Sequence, residues 1–246
     1  MIKKILTLVL AGGLILSACA APPQPKKKMR ADEEYYQKAM NFFNKKNYFE
    51  SIPAFEKIRE KFPLSQYSLL AELRLGDSHF FKGEHIEAIH FFENFRRLHP
   101  SNQQVPYSIF MTGMCHYMQI LTPNRDQTHA AEALEQFQLL LDLYPQSPYA
   151  GKSLCKISEA KQRIAEHEYF VARFYAKKKN YRGAIQRYTR ILKEFPHAID
   201  KDKIMLAVAE AKLAEGKTEK AHKVLQLLLS NYPESAYAAQ ARQLLK

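Results

Sequence analysis

The chain has 246 residues, 46% hydrophobic and 25% charged, with 8 Gly, 12 Pro, 3 Cys and no Trp, which excludes a disordered, collagen-like or disulfide-dense protein. Two Gly and three Pro precede residue 26, and the few that remain are too sparse for the tight turns of a many-stranded sandwich or barrel. The formal charge of +12 raises nucleic acid as a partner, a reading that the first thirty residues oppose.

Lys3 and Lys4 give a basic start, and Ile5 to Leu16 is an apolar run interrupted only by Thr7, Gly12 and Gly13. Twelve residues are too few for a spanning helix, which needs roughly 20, so residues 1–18 read as a signal peptide. Leu16-Ser17-Ala18-Cys19 resembles the bacterial lipobox, in which the cysteine is lipidated and becomes the first mature residue. The alternative is an ordinary secretory cleavage with Cys19 incidental. The resemblance implies a covalent lipid on Cys19, and Ala20 in place of aspartate implies delivery to the outer membrane. Residues 19–31, with Pro22, Pro23, Pro25 and Lys26 to Lys28, read as an extended, solvated tether. Their cationic cluster suits either anionic head groups or simple solubility. Removing residues 1–18 takes two lysines and no acids from the formal +12, leaving +10. Outside the cytoplasm that charge meets lipid or acidic protein and no nucleic acid.

From residue 32 the chain repeats. A bulky residue precedes proline at Phe62-Pro63, His99-Pro100, Tyr144-Pro145, Phe195-Pro196 and Tyr232-Pro233, with spacings of 37, 45, 51 and 37 residues. Twelve residues before each proline stand Ser51, Ala88, Ala133, Ala184 and Ala221. Large residues follow at eight before (Phe55, Phe92, Phe137, Tyr188, Leu225) and five before (Ile58, Phe95, Leu140, Ile191, Leu228). Offsets of four and seven place them on one helix face, and the small residue admits a neighbouring helix. An earlier helix fits through Ala39, Gly76, Ala172 and Ala209, with Gly113 matching Gly76 across an insertion. The pattern resembles the tetratricopeptide repeat, a helix–turn–helix unit whose final proline stops the second helix. The expected fold is all-α: a right-handed superhelical solenoid of five repeats with a C-terminal capping helix.

The longer spacings locate insertions. Thr122 to Asp126 reads as a loop within repeat three, and Tyr149 to Lys179 as one long or two abutting helices linking front and back. Residues 32–147 then hold repeats one to three, residues 148–246 the long helix and repeats four and five. Glu234 to Lys246 is expected as one amphipathic cap, and Pro53 is expected to delay or kink its helix. Cys115 and Cys155 are out of step along neighbouring helices by about 7 Å, so they are expected as two buried thiols.

No catalytic arrangement emerges. The histidines lack metal-ligand spacing, and there is no phosphate-cradling glycine loop or nucleophile turn. Neither an enzyme nor a metal or other cofactor is expected. A solenoid offers a groove lined by first helices, where Tyr36, Met40, Phe43, Leu73, Asp77 and Phe80 are candidates for holding an extended peptide. Packing against the rest of the fold is the competing use of these residues. Tyr67 and Tyr149 are candidates for stapling repeat junctions.

Together the lipobox, the proline-lysine tether and five repeats resemble the competence lipoprotein family, the repeat lipoproteins of the outer-membrane β-barrel assembly machinery. The strings that carry the likeness are Phe62 to Tyr67, Arg125-Asp126, Tyr144 to Ala150 and Tyr169 to Tyr175. The resemblance implies a scaffold lipid-anchored at the outer membrane and facing the periplasm. Its front repeats would receive unfolded outer-membrane proteins; its rear repeats would hold the periplasmic domain of the β-barrel insertase, with Arg187 in the contact. Other assembly lipoproteins are implied as further partners. Arg125 and Asp126 are expected to form an ion pair ordering their loop rather than a partner site. The rival expectation is a repeat scaffold serving division or peptidoglycan machinery, with the same fold.

Overall fold

The computed structural model describes residues 29–246, which form eleven α-helices with no strand among the described residues. The signal segment, Cys19 and the prolines and lysines of the tether lie outside them. The helices pair as α1 (Ala31–Asn44) with α2 (Tyr48–Lys61), α3 (Gln66–Lys82) with α4 (His85–Leu98), and α5 (Val105–Met118) with α6 (Thr128–Leu143). The last two pairs are α7 (Ala150–Lys177) with α8 (Tyr181–Glu194) and α9 (Lys201–Ala214) with α10 (Thr218–Asn231), and α11 (Ala238–Leu244) follows. Each helix packs chiefly on the one before and the one after it. That nearest-neighbour stacking defines a solenoid, and the five expected repeats are the five pairs.

All fifteen residues at the three repeated offsets of the second helices are buried. The two glycines of the first helices explain the small-residue rule. A Cβ on Gly76 would lie 2.7 Å from the Phe92 ring, and one on Gly113 2.7 Å from the Phe137 ring. Four hairpins turn on a left-handed residue seventeen before the repeat's proline: Lys46, Gly83, Lys179 and Gly216. In the two lysine turns the next residue caps the second helix. Asn47 accepts the Glu50 N–H at 3.3 Å, and Asn180 the Gly183 N–H at 3.1 Å.

The serine two residues after the proline restarts the chain. Ser65, Ser147 and Ser235 accept the N–H of Tyr67, Tyr149 and Tyr237 at 3.0–3.2 Å. Ser65 and Ser235 also donate to Asp32 (2.6 Å) and Asp202 (2.5 Å), each 33 residues earlier. One bond thus ties the start of a first helix to the start of the next. The tyrosines do staple junctions: Tyr67 packs on Tyr36 at 5.2 Å, and Tyr149 stacks on Phe110 at 5.2 Å.

The long segment is a single 28-residue helix, α7. Its Ile157 joins Ala133 and Phe137 of repeat three, while Ala165 and Ala172 join Ala184, Tyr188 and Ile204 of repeats four and five. Three expectations change. Pro53 does not delay α2, which starts at Tyr48, because Asn47 nucleates the helix ahead of it. The terminal cap shrinks to the seven residues of α11, since Ser235 first makes a turn. Cys115 is buried, but Cys155 is exposed because it lies off the face of α7 that buries Ser153, Ile157 and Ala160.

Candidate docking surfaces

At the front end, aromatic rings gather where the first two hairpins turn. Phe43, in the last turn of α1, lies 5.6 Å from Tyr48 and 6.0 Å from Phe81, while Tyr48 and Phe81 stack at 5.6 Å. Phe80 sits edge-on to Phe81 at 5.3 Å. Phe49 is 73% exposed and Phe81 54%, and Lys82 stands 5.9 Å over the Phe49 ring. This is an apolar surface with a cation at its rim, in the geometry of ring-edge and cation–π contacts. Sequence reasoning missed Tyr48, Phe49 and Phe81. The signal was the Phe80-Phe81 doublet, because one helix face cannot bury two adjacent aromatics.

The other groove candidates divide. Tyr36, Met40 and Phe43 are half-buried against the core of the first hairpin, leaving part of each side chain on the surface. Leu73 lies within the core of repeats two and three. Asp77 is also interior: Arg74 donates to it at 2.5 Å and the Tyr107 hydroxyl donates from the other side. Burial pushes the Asp77 carboxyl above its usual range against both partners, and raises the Tyr107 phenol as well. Leu73 and Asp77 therefore hold the front repeats together and form no part of an open groove.

The loop of repeat three is ordered without the expected ion pair. Asp126 instead accepts the Thr128 N–H at 2.9 Å at the start of α6, and the Thr128 hydroxyl together with that N–H lowers its carboxyl pKa. Arg125 makes no salt bridge among the described residues. The adjacent Gln127, buried, does the ordering: its amide donates to the carbonyls of Thr122 (2.9 Å) and Arg125 (3.1 Å). His167 of α7 donates to the Pro123 carbonyl at 2.7 Å, fastening the loop to the long helix. Beside this loop His116, His129 and Glu132 meet, their ligand atoms all within 4.8 Å of one another. A separation of thirteen residues between the histidines hid this from a search for short spacings.

At the rear, Arg187 lines a surface cavity of about 450 Å³ with Tyr175, Asn180, Gly183, Gln186 and Arg190. It is not a free solvated side chain. Its guanidinium donates to both oxygens of Glu168 at 3.0 and 2.9 Å, and Arg190 adds a bond at 2.7 Å. The Glu168 side chain is 4% exposed, against 36% for Arg187. Two cations on α8 thus hold one buried carboxylate on α7, with their outer faces open to the cavity. Sequence reasoning named the arginine and missed its anchor.

A family model described as "Outer membrane lipoprotein" (YfiO) matches residues 28–227, from just before α1 into α10. The chain belongs to this family. Two relatives of this chain show how far the likeness extends. The outer membrane protein assembly factor BamD of Rickettsia prowazekii (strain Madrid E) is 26% identical over 245 residues, covering 100% of this chain and 98% of that one. The protein of the same name from Neisseria meningitidis serogroup A is 26% identical over 258 residues, covering 98% and 96%. Among solved structures, the TPR2AB domain of yeast Sti1 aligns at 15% identity and a TM-score of 0.44, covering 87% of this chain and 96% of that one. No helix among the described residues is long and apolar enough to cross a membrane.

Proposed function

We propose that this outer membrane lipoprotein is a scaffold of outer-membrane protein assembly. It is held at the periplasmic face of the outer membrane by lipid on Cys19 and acts without catalysis. The observation that carries the reading is its end-to-end likeness to proteins named as outer membrane protein assembly factors. Acyl chains contribute about 0.8 kcal/mol per buried CH2, so a lipidated N-terminus holds the chain without a spanning helix.

In this reading residues 32–147 form the client side. The Phe43, Tyr48 and Phe81 patch, with Tyr36, Met40 and Phe80 beside it, receives aromatic-rich segments of unfolded outer-membrane proteins. Residues 148–246 form the insertase side, where the Arg187 and Arg190 cavity receives an acidic group of the insertase's periplasmic domain. Other assembly lipoproteins are further partners in this reading. Anchoring client and insertase to one rigid body raises the effective concentration of each for the other.

Photoreactive residues placed in cells at Arg187 and at Phe81 test the assignment. Adducts to the insertase from position 187 and to unfolded barrel proteins from position 81 would support both ends. Adducts to division or peptidoglycan proteins, with no insertase, would overturn the function and leave the fold intact.

A further inference from the structure

The third hairpin is built differently from the other four. Those turn within two or three residues, whereas nine, Gln119 to Gln127, separate α5 from α6. Closing a longer loop costs slightly more chain entropy, about 0.6 kcal/mol per doubling, which a further tie between the two helix ends would offset. At that point stand His116, in the last turn of α5, and His129 and Glu132, at the start of α6. The two Nδ1 atoms are 3.3 Å apart, and one oxygen of Glu132 lies 2.9 Å from the first and 3.1 Å from the second.

Those separations match a metal's demands. A four-coordinate zinc ion with nitrogen ligands at about 2.0–2.1 Å sets its donors about 3.3–3.4 Å apart. The three atoms therefore already occupy one face of a tetrahedron of nearly the right size, with the fourth corner open. Two imidazoles with one carboxylate are also the donor set preferred by zinc-class transition metals over calcium or magnesium, which take oxygen ligands. The carboxylate of Glu93 on α4 adds its field at His116, so the site is not short of negative charge.

We propose that His116, His129 and Glu132 bind one zinc-class divalent cation, which pins α5 to α6 at the mouth of the long loop. The same ion steadies the loop's far contact, the His167 bond to Pro123, and through it the junction with α7. The site rests on this geometry alone and is independent of the assembly role.

The test is titration of the full-length chain, stripped of metal by a chelator, with Co2+ and then with Zn2+. One equivalent of Co2+ should give the intense visible bands of a tetrahedral site, and Zn2+ should displace it. His129→Ala and Glu132→Gln change side chains that are 39% and 42% exposed, so neither should disturb the fold; circular dichroism checks that. Each should weaken Co2+ affinity by at least about 10- to 100-fold, the effect seen even for changes one shell further out. Zinc should slow amide exchange across residues 119–127 in the parent chain and in neither variant. Weak octahedral bands, affinity unchanged in both variants, or a thiolate charge-transfer band lost with Cys155→Ser would each overturn the site.

Discussion

Replacing Arg187 by alanine should destabilise the junction of α7 and α8 even with no partner present. Glu168 is a buried carboxylate with three bonds from two arginines. Stripping a buried charge of all its partners costs about 3–5 kcal/mol. Arg187→Ala leaves Arg190 in place, and water enters from the cavity side, where the arginines are partly exposed. The expected loss is therefore about 1–2 kcal/mol. Glu168→Gln should cost less, about 1 kcal/mol, because both guanidinium groups can hydrate once the charge has gone. In the double variant no charge is stranded, so the two losses should fall short of additivity by at least about 0.5 kcal/mol. Urea unfolding gives the global figure. Amide exchange along α7 and α8 localises it, since repeat arrays need not unfold in one step. Additive losses, or Arg187→Ala within about 0.3 kcal/mol of the parent, would show Arg187 to be an ordinary solvated residue and refute the ion-pair reasoning. Capture of the proposed insertase then separates the two uses of Arg187: a loss in the double variant that Glu168→Gln alone, which keeps the arginine, does not show points to direct contact.

Gly76→Ala should destabilise although alanine favours helix by about 1 kcal/mol, because its Cβ would stand 2.7 Å from the fully buried Phe92 ring and overpacking costs about 1–3 kcal/mol; thermal unfolding checks the sign, and Phe92→Leu in the same chain should recover part of the loss. Gln127→Ala should release the loop around Pro123 by removing its bonds to the Thr122 and Arg125 carbonyls, read as faster proteolysis within residues 119–127, whereas Arg125→Ala should leave that rate unchanged. Burial pushes the Cys115 thiol up to about 12. It therefore stays protonated at pH 8, where iodoacetamide should label the exposed Cys155 and reach Cys115 only after unfolding; peptide-resolved mass spectrometry reads each site.

What the sequence made legible is what a one-dimensional repeat must restate. Small and large residues recur at fixed offsets because every hairpin solves the same packing problem, so fifteen core positions and the insertion in repeat three could be placed from the prolines alone. The candidate docking residues were only partly legible, since their surroundings depend on contacts between helices that no offset encodes. Leu73 and Asp77 look like groove residues by helical spacing, yet α4 and α5 cover them. Arg125 and Asp126 are adjacent opposite charges, and the backbone N–H of Thr128 claimed the carboxylate first. Glu168 and Arg187 are nineteen residues apart, and a buried carboxylate cannot be told from a solvated one in the charged pattern of α7.

The same one-dimensionality gives α7 its importance. In a stack where each helix touches chiefly its neighbours, the front aromatic patch and the rear arginine cavity share no contact. Only the intervening helices relate them, and α7 is the longest of these. Its 28 residues span about 42 Å, with its N-terminal half in the core of repeat three and its C-terminal half in that of repeats four and five. No glycine or proline interrupts it after Gly151, so it lacks the usual causes of a kink. Each residue also turns the helix by about 100°, so the length of α7 sets orientation as well as distance. The buried Glu168 fixes that orientation to α8 by charge, and the Pro123 loop fixes it to repeat three through His167. A flexible linker of equal length would leave the two docking surfaces free to face any way. A clamped helix presents them in one relation, which is what the proposed scaffold would require to bring a client to its partner.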